Sequence, residues 1–512
     1  MTKKSLLLLL LLVIGTSVYL STFHLPASGS EERRSNLLLV LDGLRPDYIT
    51  PELMPNLYAL GEQGVFADRH TAAFPSATRV NSASISAGSY PATHGLMHNK
   101  MFVREMGDEP FSTGSTRNLT RLAKFTGGRI LSVPTLGEAL AEQGLNLFVV
   151  GSGGSGNSRL QNPEGAGMGI WTASGFFVPR SARQKAVAAI GGLPDDDADR
   201  TVWSFDAYLH KALGDDPPDV VIMWIHETDG ANHAYGVGAP EALTAATNVD
   251  AQIGRLVRAF EEHDLSDRVN IFVTADHGFS TNGGEFRVAR TLRNAGFSDD
   301  EYRSFDDMVF LERQDPKLLA RLVRALQRNP ETGNIYTRPR KPGSSQGIVA
   351  GTLSTAVIQW DHERAADAIV TPAWSDNVNE FGFPGVSTSR GRNPGSHGSD
   401  SPYDMQILLI AAGPDIKRGI RSTVPSGNVD LAPTLLHVFG IAPPPSMTGR
   451  VLHELLRDGP APEDVVVREQ THRAGVTLKN GWRYVAELDT AEVGSTVYIR
   501  GSKPKQASEN IN

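Results

Sequence analysis

The stretch NLLLVLD, residues 36–42, decides the fold class because it is a short apolar run that ends in a carboxylate. A continuous apolar run of this length is typical of a strand buried on both faces of a parallel sheet. The pattern returns in LNLFVVG at 145–151, DVVIMWIHETD at 219–229, VNIFVTADH at 269–277 and QILLIAAG at 406–413. Helical patterns lie between these runs, for example TLGEALAEQG and NVDAQIGRLVRAFEEH. The alternation predicts an α/β fold with a doubly wound, mostly parallel sheet.

The same pattern divides the chain into segments. Residues 35–285 form the first part of the predicted α/β core, and residues 395–456 form its second part. Between them, 286–394 breaks the alternation with an amphipathic helix at 315–330 and two predicted strands, GNIYTRPR and GTLSTAVIQW. We interpret 286–394 as an inserted α+β subdomain. Residues 457–512 are predicted to form antiparallel strands that could extend an edge of the sheet.

The N-terminus predicts export. Lys3 and Lys4 precede an apolar run of about sixteen residues, which is short for a membrane span of roughly 20 residues and typical of a signal peptide. Residues 1–29 are therefore interpreted as a signal peptide, with an uncleaved anchor as the alternative. Either reading places the body of the protein in the periplasm or outside the cell, with membrane association only if the anchor is retained.

Composition excludes several classes of function. The chain has 512 residues, 40% of them hydrophobic, and a formal charge of −8, so nothing favours a nucleic acid as the main partner. There is no cysteine, which excludes disulfides, thiolate metal ligands and a cysteine nucleophile. Any metal must be bound by His, Asp, Glu or hydroxyl side chains.

Such side chains stand where the predicted strands end. Asp42 ends the first strand, Asp229 and His233 follow the third, and Asp276 and His277 end the fourth. Ligands of open parallel sheets bind at the carboxyl ends of strands, so we expect these side chains to share one edge. Taken singly, each pair is a common loop or cap feature. A further candidate, His397, lies in the glycine-rich segment GSHGSDS.

Five segments together carry a resemblance to a known family. VLDGLRPDY, FPSATRVNSASISAGSYPATHGLMHN, HETDGANHAYG, TADHGFS and SHGSDSPYDMQILLIAAGP resemble the nucleotide pyrophosphatase/phosphodiesterase branch of the alkaline phosphatase superfamily. The resemblance implies an alkaline phosphatase type fold, a small-molecule phosphate ester as substrate, hydrolysis of phosphodiester or pyrophosphate bonds, and Thr78 as nucleophile. It implies two zinc ions, one held by Asp42, Asp276, His277 and Thr78 and the other by Asp229, His233 and His397. It also implies that Asn99 supports a phosphoryl oxygen.

The sequence departs from that family in one position that bears on the substrate. Arg79 follows the nucleophile where the branch usually has an aromatic or apolar residue, so Arg79 is a candidate substrate-binding residue and a nucleotide slot is in doubt. The chain also lacks the Lys-x-Arg pair of the phosphomonoesterase branch. A phosphomonoesterase or a phosphonate hydrolase of the superfamily remains the alternative, followed by a non-catalytic binding relic. His70, His94 and His98 are expected to be structural, and His437 to be packed in the core.

Overall fold

The computed structural model describes residues 34–504 apart from 480 and 482. Its largest element is a ten-stranded sheet, called the main sheet below. In spatial order the strands are Ile420–Ser422, Val65–Thr71, Gln406–Ala412, Val269–Thr274, Ser35–Leu41, Val220–Ile225, Leu147–Gly151, Gly169–Thr172 and Phe177–Val178, with Ser426–Gly427 paired to Val65–Thr71. Strand Ser35–Leu41 lies between Val269–Thr274 and Val220–Ile225 and is parallel to both. The predicted doubly wound, mostly parallel sheet is confirmed.

Burial on both faces explains why these strands read as continuous apolar runs. In the first strand Leu37 and Leu39 pack into one hydrophobic cluster, while Leu38 and Val40 pack into another. Successive side chains of a strand point to opposite faces, so each cluster lies on its own side of the main sheet. Full burial of an aliphatic side chain contributes roughly 1.5–3 kcal/mol, and these four are completely buried.

Helices supply the layers that cover the sheet and the turns that lead to its edge. The longer ones are Pro55–Gln63, Thr78–Ala87, Thr116–Phe125, Leu136–Glu142, Ser155–Gln161, Ala182–Ile190, Asp197–Ala212, Glu227–Tyr235, Pro240–Glu262, Val288–Asn294, Pro316–Gln327 and Leu431–Val438. Pro91–His94 and Pro402–Met405 are single turns. The amphipathic helix predicted at 315–330 is present, with Asp315 as its N-cap.

Two details differ from the sequence-based expectation. Strand Gln406–Ala412 runs antiparallel to both of its neighbours in the main sheet. The segment GTLSTAVIQW is a strand only at Leu353–Ser354, because the Ser354 side chain accepts a hydrogen bond from the Ala356 N–H and starts the 3₁₀ turn Thr355–Ile358. A hydroxyl that bonds the local backbone competes in this way with strand pairing.

In the described part of the chain four further sheets lie outside the main sheet, one of them a two-stranded hairpin. A five-stranded sheet within 286–394 has the order Tyr302–Phe305, Met308–Leu311, Ala368–Pro372, Thr332–Thr337 and Leu353–Ser354. A four-stranded sheet has the order Trp374–Val378, Pro384–Ser389, Ser280–Phe286 and Gly395–Ser396. This sheet pairs strands from within 286–394 with Ser280–Phe286, which lies before that segment, and Gly395–Ser396, which lies after it. The boundaries at 286 and 394 therefore stay a prediction.

The predicted antiparallel strands of the C-terminal segment form a sheet of their own. Strands Val467–Thr477, Arg483–Val493 and Thr496–Ser502 pair in that order, and in the described part of the chain they do not extend an edge of the main sheet. Strands Lys100–Met101 and Phe111–Ser112 form a small hairpin. The predicted signal peptide or anchor at 1–29 lies outside the described residues. Within 34–504, no helix is both long enough and apolar enough to cross a bilayer.

Candidate metal centre

Three neighbouring strands of the main sheet deliver metal-capable side chains to one edge. Asp42 follows strand Ser35–Leu41, and Asp276 and His277 follow Val269–Thr274. Strand Val220–Ile225 leads into helix Glu227–Tyr235, which carries Asp229 and His233 one turn apart. These strands are parallel, so their carboxyl ends lie side by side.

Two more predicted residues reach this edge from other elements. Thr78 is the first residue of helix Thr78–Ala87, and His397 follows the short strand Gly395–Ser396. Gly398, with a φ of 116°, turns the backbone after His397, and its N–H donates to the Ser76 hydroxyl at 3.1 Å. The loop before Thr78 and the loop carrying His397 therefore meet at Ser76, and all seven predicted residues come together.

The first group of side chains surrounds the ring of His277. His277 Nε2 lies 3.2 Å from Asp276 Oδ2, 3.5 Å from Asp42 Oδ1 and 3.3 Å from Thr78 Oγ1. Ligand atoms about 2.0–2.1 Å from a tetrahedral zinc ion are roughly 3.3 Å from one another. The Asp42, Asp276 and His277 side chains thus have the spacing of a ligand set, and all three are buried.

The second group is centred on Asp229. Asp229 Oδ1 lies 3.5 Å from His233 Nε2 and 3.6 Å from His397 Nε2. These three side chains form another set whose donor atoms are close enough to share an ion. The two groups are adjacent, because the rings of His277 and His397 stack with centroids 3.5 Å apart.

Each histidine of the two groups is held in the same orientation. His277 Nδ1 lies 2.9 Å from Gly278 O, His233 Nδ1 lies 3.1 Å from Gly395 O, and His397 Nδ1 lies 2.8 Å from Ser76 O. A carbonyl oxygen only accepts, so Nδ1 is the protonated nitrogen in all three rings. The Nε2 lone pairs are left facing the carboxylates, which is the arrangement of metal-binding histidines.

The three carboxylates show which of their oxygens a cation would meet. Asp42 Oδ2 accepts from Trp224 Nε1 at 2.9 Å, and Asp276 Oδ1 accepts from the Gly43 N–H at 3.0 Å. Their other oxygens, together with Asp229 Oδ1, are buried and have no hydrogen-bond partner among the described residues. Buried polar atoms without partners are rare and costly. The unpaired oxygens are the ones that face the Nε2 atoms, so the residues present fit two bound cations.

Bound cations would balance the buried carboxylates of this edge. Burial raises the pKa of Asp229 to about 8, and the charge of Asp42 acts in the same direction. Burial and the charge of Asp42 raise the pKa of Asp276 well above its ordinary value. Burial acts against ionisation of Asp42 too, but a hydrogen bond from His226 and the charges of His226 and His277 lower its pKa to about 2. Without positive charge, the three carboxylates cannot all be ionised.

The histidines are correspondingly neutral. Burial lowers the pKa of His277 to about 4 and lowers the pKa of His397 well below its usual value. Burial also lowers the pKa of His233. Metals bind the neutral imidazole, so the ligand form of all three rings is the one that the folded protein favours.

Asn99 lies beside the start of the Thr78 helix. The Arg79 N–H donates to Asn99 Oδ1 at 3.0 Å, so this side chain satisfies one of the free N–H groups at the helix N-terminus. Because the oxygen is engaged, the amide N–H₂ of Asn99 is the end that is left to donate to a bound anion. Asn99 is partly exposed and reaches this position from the loop before the Lys100–Met101 strand.

The guanidinium of Arg79 lies near the same edge. A Cβ on Gly114 would be 3.2 Å from Arg79 Nη2, so the glycine leaves room for this side chain. Arg79 Nε is buried and has no hydrogen-bond partner in the described part of the chain. The positive charge of Arg79 also acts on the pKa values of Asp229, His277 and His397. Arg79 is therefore placed to attract an anion near the two groups.

His226 is a site residue that sequence reasoning missed. It lies one helical turn before Asp229, with Nδ1 at 3.5 Å from Asp42 Oδ2 and 3.6 Å from Asp229 Oδ2. Burial lowers the pKa of His226, but the hydrogen bond to Asp42 and the charges of Asp42 and Asp229 outweigh it and raise the pKa to about 9. The i, i+3 spacing to Asp229 was the available signal.

The sequence predicts structural roles for His70, His94 and His98 and a packed position in the core for His437. None of these four histidines belongs to the two ligand groups. His70 bonds Ser426 and Asn428, and His94 bonds Ser84, all of them buried. His98 accepts from the Asn99 N–H at 2.9 Å. The prediction that His437 is packed in the core is wrong. It is exposed at the end of helix Leu431–Val438 and meets His453 edge to face.

The chain is similar to known proteins in sequence and in structure. The family model described as type I phosphodiesterase / nucleotide pyrophosphatase matches residues 36–373. Ectonucleotide pyrophosphatase/phosphodiesterase family member 7 of Homo sapiens is 25% identical over 448 residues, covering 83% of this chain and 85% of the relative. Venom phosphodiesterase of Macrovipera lebetinus is 25% identical over 461 residues, covering 86% of this chain and 47% of the relative.

A solved structure shares the fold. Murine ectonucleotide pyrophosphatase/phosphodiesterase 5, an inactive variant in complex with AMP, superposes with a TM-score of 0.59 and 16% identity. The match covers 83% of this chain and 100% of that chain. The family match at 36–373 spans every predicted site residue except His397, which the structure nevertheless places with the others.

Proposed function

Because the chain belongs to the type I phosphodiesterase / nucleotide pyrophosphatase family, we propose that it hydrolyses phosphodiester or pyrophosphate bonds with Thr78 as nucleophile and two zinc ions as cofactors. Family membership, the relatives named above and the fold of alkaline phosphatase type support a hydrolase of phosphoric esters. The nucleophile, the number of ions and their identity are the finer parts of the proposal and rest on the site.

One observation carries it. The unpaired oxygens of Asp42, Asp229 and Asp276 face three histidine Nε2 atoms, and the Thr78 hydroxyl lies 3.3 Å from one of them. Asp42, Asp276, His277 and the Thr78 hydroxyl would hold one ion, and Asp229, His233 and His397 the other. His and Asp ligands in sets of three suit zinc. When bound, the ions stabilise negative charge on the attacking and leaving oxygens.

The residues of the chain perform the remaining work. Thr78 Oγ1 loses its proton to solvent and attacks phosphorus, the bond from phosphorus to the leaving oxygen breaks, and that oxygen takes up a proton from solvent while the phosphoryl group stays on Thr78. Water then gives up a proton and attacks the same phosphorus, the bond to Thr78 Oγ1 breaks, and Thr78 regains its proton. The position of Thr78 on the first turn of a helix points helical N–H groups toward the anionic group. The Asn99 amide is oriented to donate to a non-bridging oxygen.

A specific observation supports a second candidate. Arg79 offers a buried, unpaired Nε beside the site, and a guanidinium there could bind an extra anionic oxygen of a monoester or a phosphonate. The chain has no Lys-x-Arg pair to assist it, so phosphodiester hydrolysis remains the main proposal. A phosphomonoesterase or phosphonate hydrolase is the alternative.

The test is a substrate panel combined with metal analysis of the purified protein. Values of kcat/KM are measured for p-nitrophenyl phosphate, bis-p-nitrophenyl phosphate, a phosphonate monoester and a sulfate ester, all with p-nitrophenol as the leaving group. The substrates then differ in the charge and chemistry of the transferred group. We expect about two zinc ions per chain and the highest value for the diester. A monoester preference of about 100-fold, equivalent to roughly 2.7 kcal/mol, contradicts the diester proposal. Protein without stoichiometric metal and without activity would instead identify a binding relic.

The setting of the reaction is also a proposal. We propose that the enzyme acts on a small-molecule phosphate ester after export to the periplasm or the cell exterior, as the start of the sequence predicts. The negative formal charge gives no reason to propose a nucleic acid as the main partner.

A further inference from the structure

His226 contacts one carboxylate from each of the two ligand groups. Its Nδ1 lies 3.5 Å from Asp42 Oδ2 and 3.6 Å from Asp229 Oδ2. We propose that His226 is a positioning residue that fixes Asp42 and Asp229 relative to each other and thereby sets the spacing of the two cation sites. The inference rests on the proposed two-metal function and deepens it.

The two oxygens of each carboxylate have different surroundings. Asp42 Oδ1 and Asp229 Oδ1 are the buried, unpaired atoms, and both are approached by His277 Nε2, at 3.5 and 4.0 Å. The Oδ2 atoms point away from that ring and toward His226. His277 therefore meets the pair on the side of the cations, and His226 meets it on the outer side. The Nδ1 atom is within hydrogen-bonding distance of Asp42 Oδ2 and within ion-pair distance of Asp229 Oδ2, so one ring restrains both carboxylates on that side.

Few other contacts fix Asp229. Asp42 Oδ2 also accepts from Trp224 Nε1 at 2.9 Å, and Asp42 directly follows a strand that is hydrogen-bonded on both sides. Asp229 stands on a helix that follows a different strand, and in the described residues the ion-pair partner of its Oδ2 is the His226 ring at 3.6 Å. Loss of the His226 ring should therefore affect the Asp229 group more than the Asp42 group.

His226 is itself held from behind. Its backbone N–H donates to the Ser152 hydroxyl at 2.8 Å. The outer edge of its ring and Asp197 border the same space at Gly230, since a Cβ there would be 3.6 Å from His226 Nε2 and 3.2 Å from Asp197 Oδ2. The absence of a side chain at Gly230 leaves that approach open. Asp197 in turn pairs with Arg200 at 3.2 Å. The ring thus contacts the carboxylate pair through Nδ1, and the charge of Asp197 acts on it from beyond the opposite edge.

Outer-shell partners of metal ligands typically change metal affinity by 10- to 100-fold when they are removed. We expect His226→Ala in the full-length holoenzyme to release zinc to a chelator about 10- to 100-fold faster than wild type, with the site of Asp229 emptied first. Asn places an amide N–H near the position of Nδ1, so His226→Asn should restore most of the retention. His472→Ala, which removes a half-buried histidine from the C-terminal sheet, is the matched control and should release zinc as wild type does.

A second readout separates positioning from direct ligation. Donor atoms of Asp42, His226 and Asp229 are also close enough together to share an ion. With Co²⁺ in place of zinc, a positioning role leaves the shape of the visible absorption spectrum unchanged in His226→Asn at saturating metal. A changed band shape would identify His226 as a ligand and overturn the proposal. Circular dichroism of the metal-free variants should match that of wild type.

The outcomes also separate this inference from the function on which it rests. Wild-type protein that binds no stoichiometric zinc and has no activity would refute the function. If wild type binds two zinc ions and His226→Ala releases them within about threefold of the wild-type rate, only the positioning role is refuted. An Asn variant as weak as the Ala variant refutes it too. If His226→Ala does not fold, His226→Gln replaces it, because the amide of glutamine lies nearer the position of Nε2 than that of Nδ1, and it should accelerate release several-fold.

Discussion

Replacing Thr78 by alanine is the most direct perturbation of the proposed mechanism. The change removes the hydroxyl that lies 3.3 Å from His277 Nε2 but leaves the six Asp and His side chains of the two groups in place. We therefore expect turnover to be lost while zinc content and fold are retained. Thr78→Ser keeps the hydroxyl and should retain part of the activity.

The expected changes in the free energy of unfolding and in kcat differ in size. Thr78 is 5% exposed, so the variant loses one buried methyl group and one hydrogen bond. These contribute about 1 kcal/mol each to the free energy of unfolding, a total of about 2 kcal/mol that a folded domain of this size should tolerate. Deletion of a covalent nucleophile costs on the order of 10⁴-fold or more in kcat, which is at least about 5.5 kcal/mol of activation free energy.

The assay compares kcat, zinc per chain and thermal unfolding for wild type, Thr78→Ala and Thr78→Ser. Ser82→Ala is the matched control, because it deletes a hydroxyl on the same helix whose partner is the Asn157 carbonyl rather than the site. A burst of nitrophenol in the first turnover of wild type, absent from Thr78→Ala, would report the covalent step. Turnover at the wild-type rate in Thr78→Ala would show that water attacks phosphorus directly, and the assignment of Thr78 as nucleophile would be rejected.

Three further predictions address the substrate, the fold and the processing of the chain. Arg79→Ala should lower kcat/KM for the diester about 10- to 100-fold, the scale of one charge-assisted hydrogen bond, with Arg79→Lys in between; an unchanged value would mean that the guanidinium does not contact substrate. Burial lowers the pKa of His94 to about 3. As pH drops below about 6.5, the ring is protonated in the unfolded state but not in the folded state, so the free energy of unfolding falls. Urea unfolding of metal-free protein should accordingly show wild type losing about 2 kcal/mol more than His94→Gln between pH 7 and pH 5, whereas equal losses would contradict a neutral buried ring. N-terminal sequencing of exported protein should start near Ser30, and an intact Met1 on membrane material would support the anchor.

The parts of the fold that were predictable are those in which local pattern and burial agree. Strands Ser35–Leu41 and Val269–Thr274 were predicted as the runs 36–42 and 269–277, within three residues at every end, because a run buried on both faces must be apolar throughout. Strand direction was not predictable for Gln406–Ala412, since such a run carries no alternation that would distinguish parallel from antiparallel pairing. The helix predicted from residue 248 begins at Pro240. Its first two turns were missed because they are rich in alanine and threonine and show little apolar periodicity.

The site divides in the same way. Asp229 and His233 could be placed together because four residues span one helical turn, and the structure has both on helix Glu227–Tyr235. The i, i+3 spacing of His226 to Asp229 could be read from the sequence, but its contact with Asp42, a residue 184 positions away in the chain, could not. His437 was misjudged for a related reason. An apolar helix still has one outward face, and only the tertiary packing decides which residue occupies it.

The charges at the site bear on why Arg79 need not imply a monoester substrate. Two zinc ions would bring four positive charges, and the three carboxylates together with an ionised Thr78 hydroxyl would offset all of them. A bound phosphodiester then adds one negative charge that Arg79 alone can balance, because its Nε is buried without a partner in the described structure. A monoester dianion would leave one further negative charge unbalanced in a buried site, where unpaired charge is costly. Burial lowers the pKa of His226, and it is the hydrogen bond and charge of Asp42 and the charge of Asp229 that raise it. Cations bound to those two carboxylates would offset their charges and leave the ring neutral, so His226 adds no positive charge to this count. A single arginine beside the nucleophile is thus consistent with recognition of a singly charged phosphoryl group.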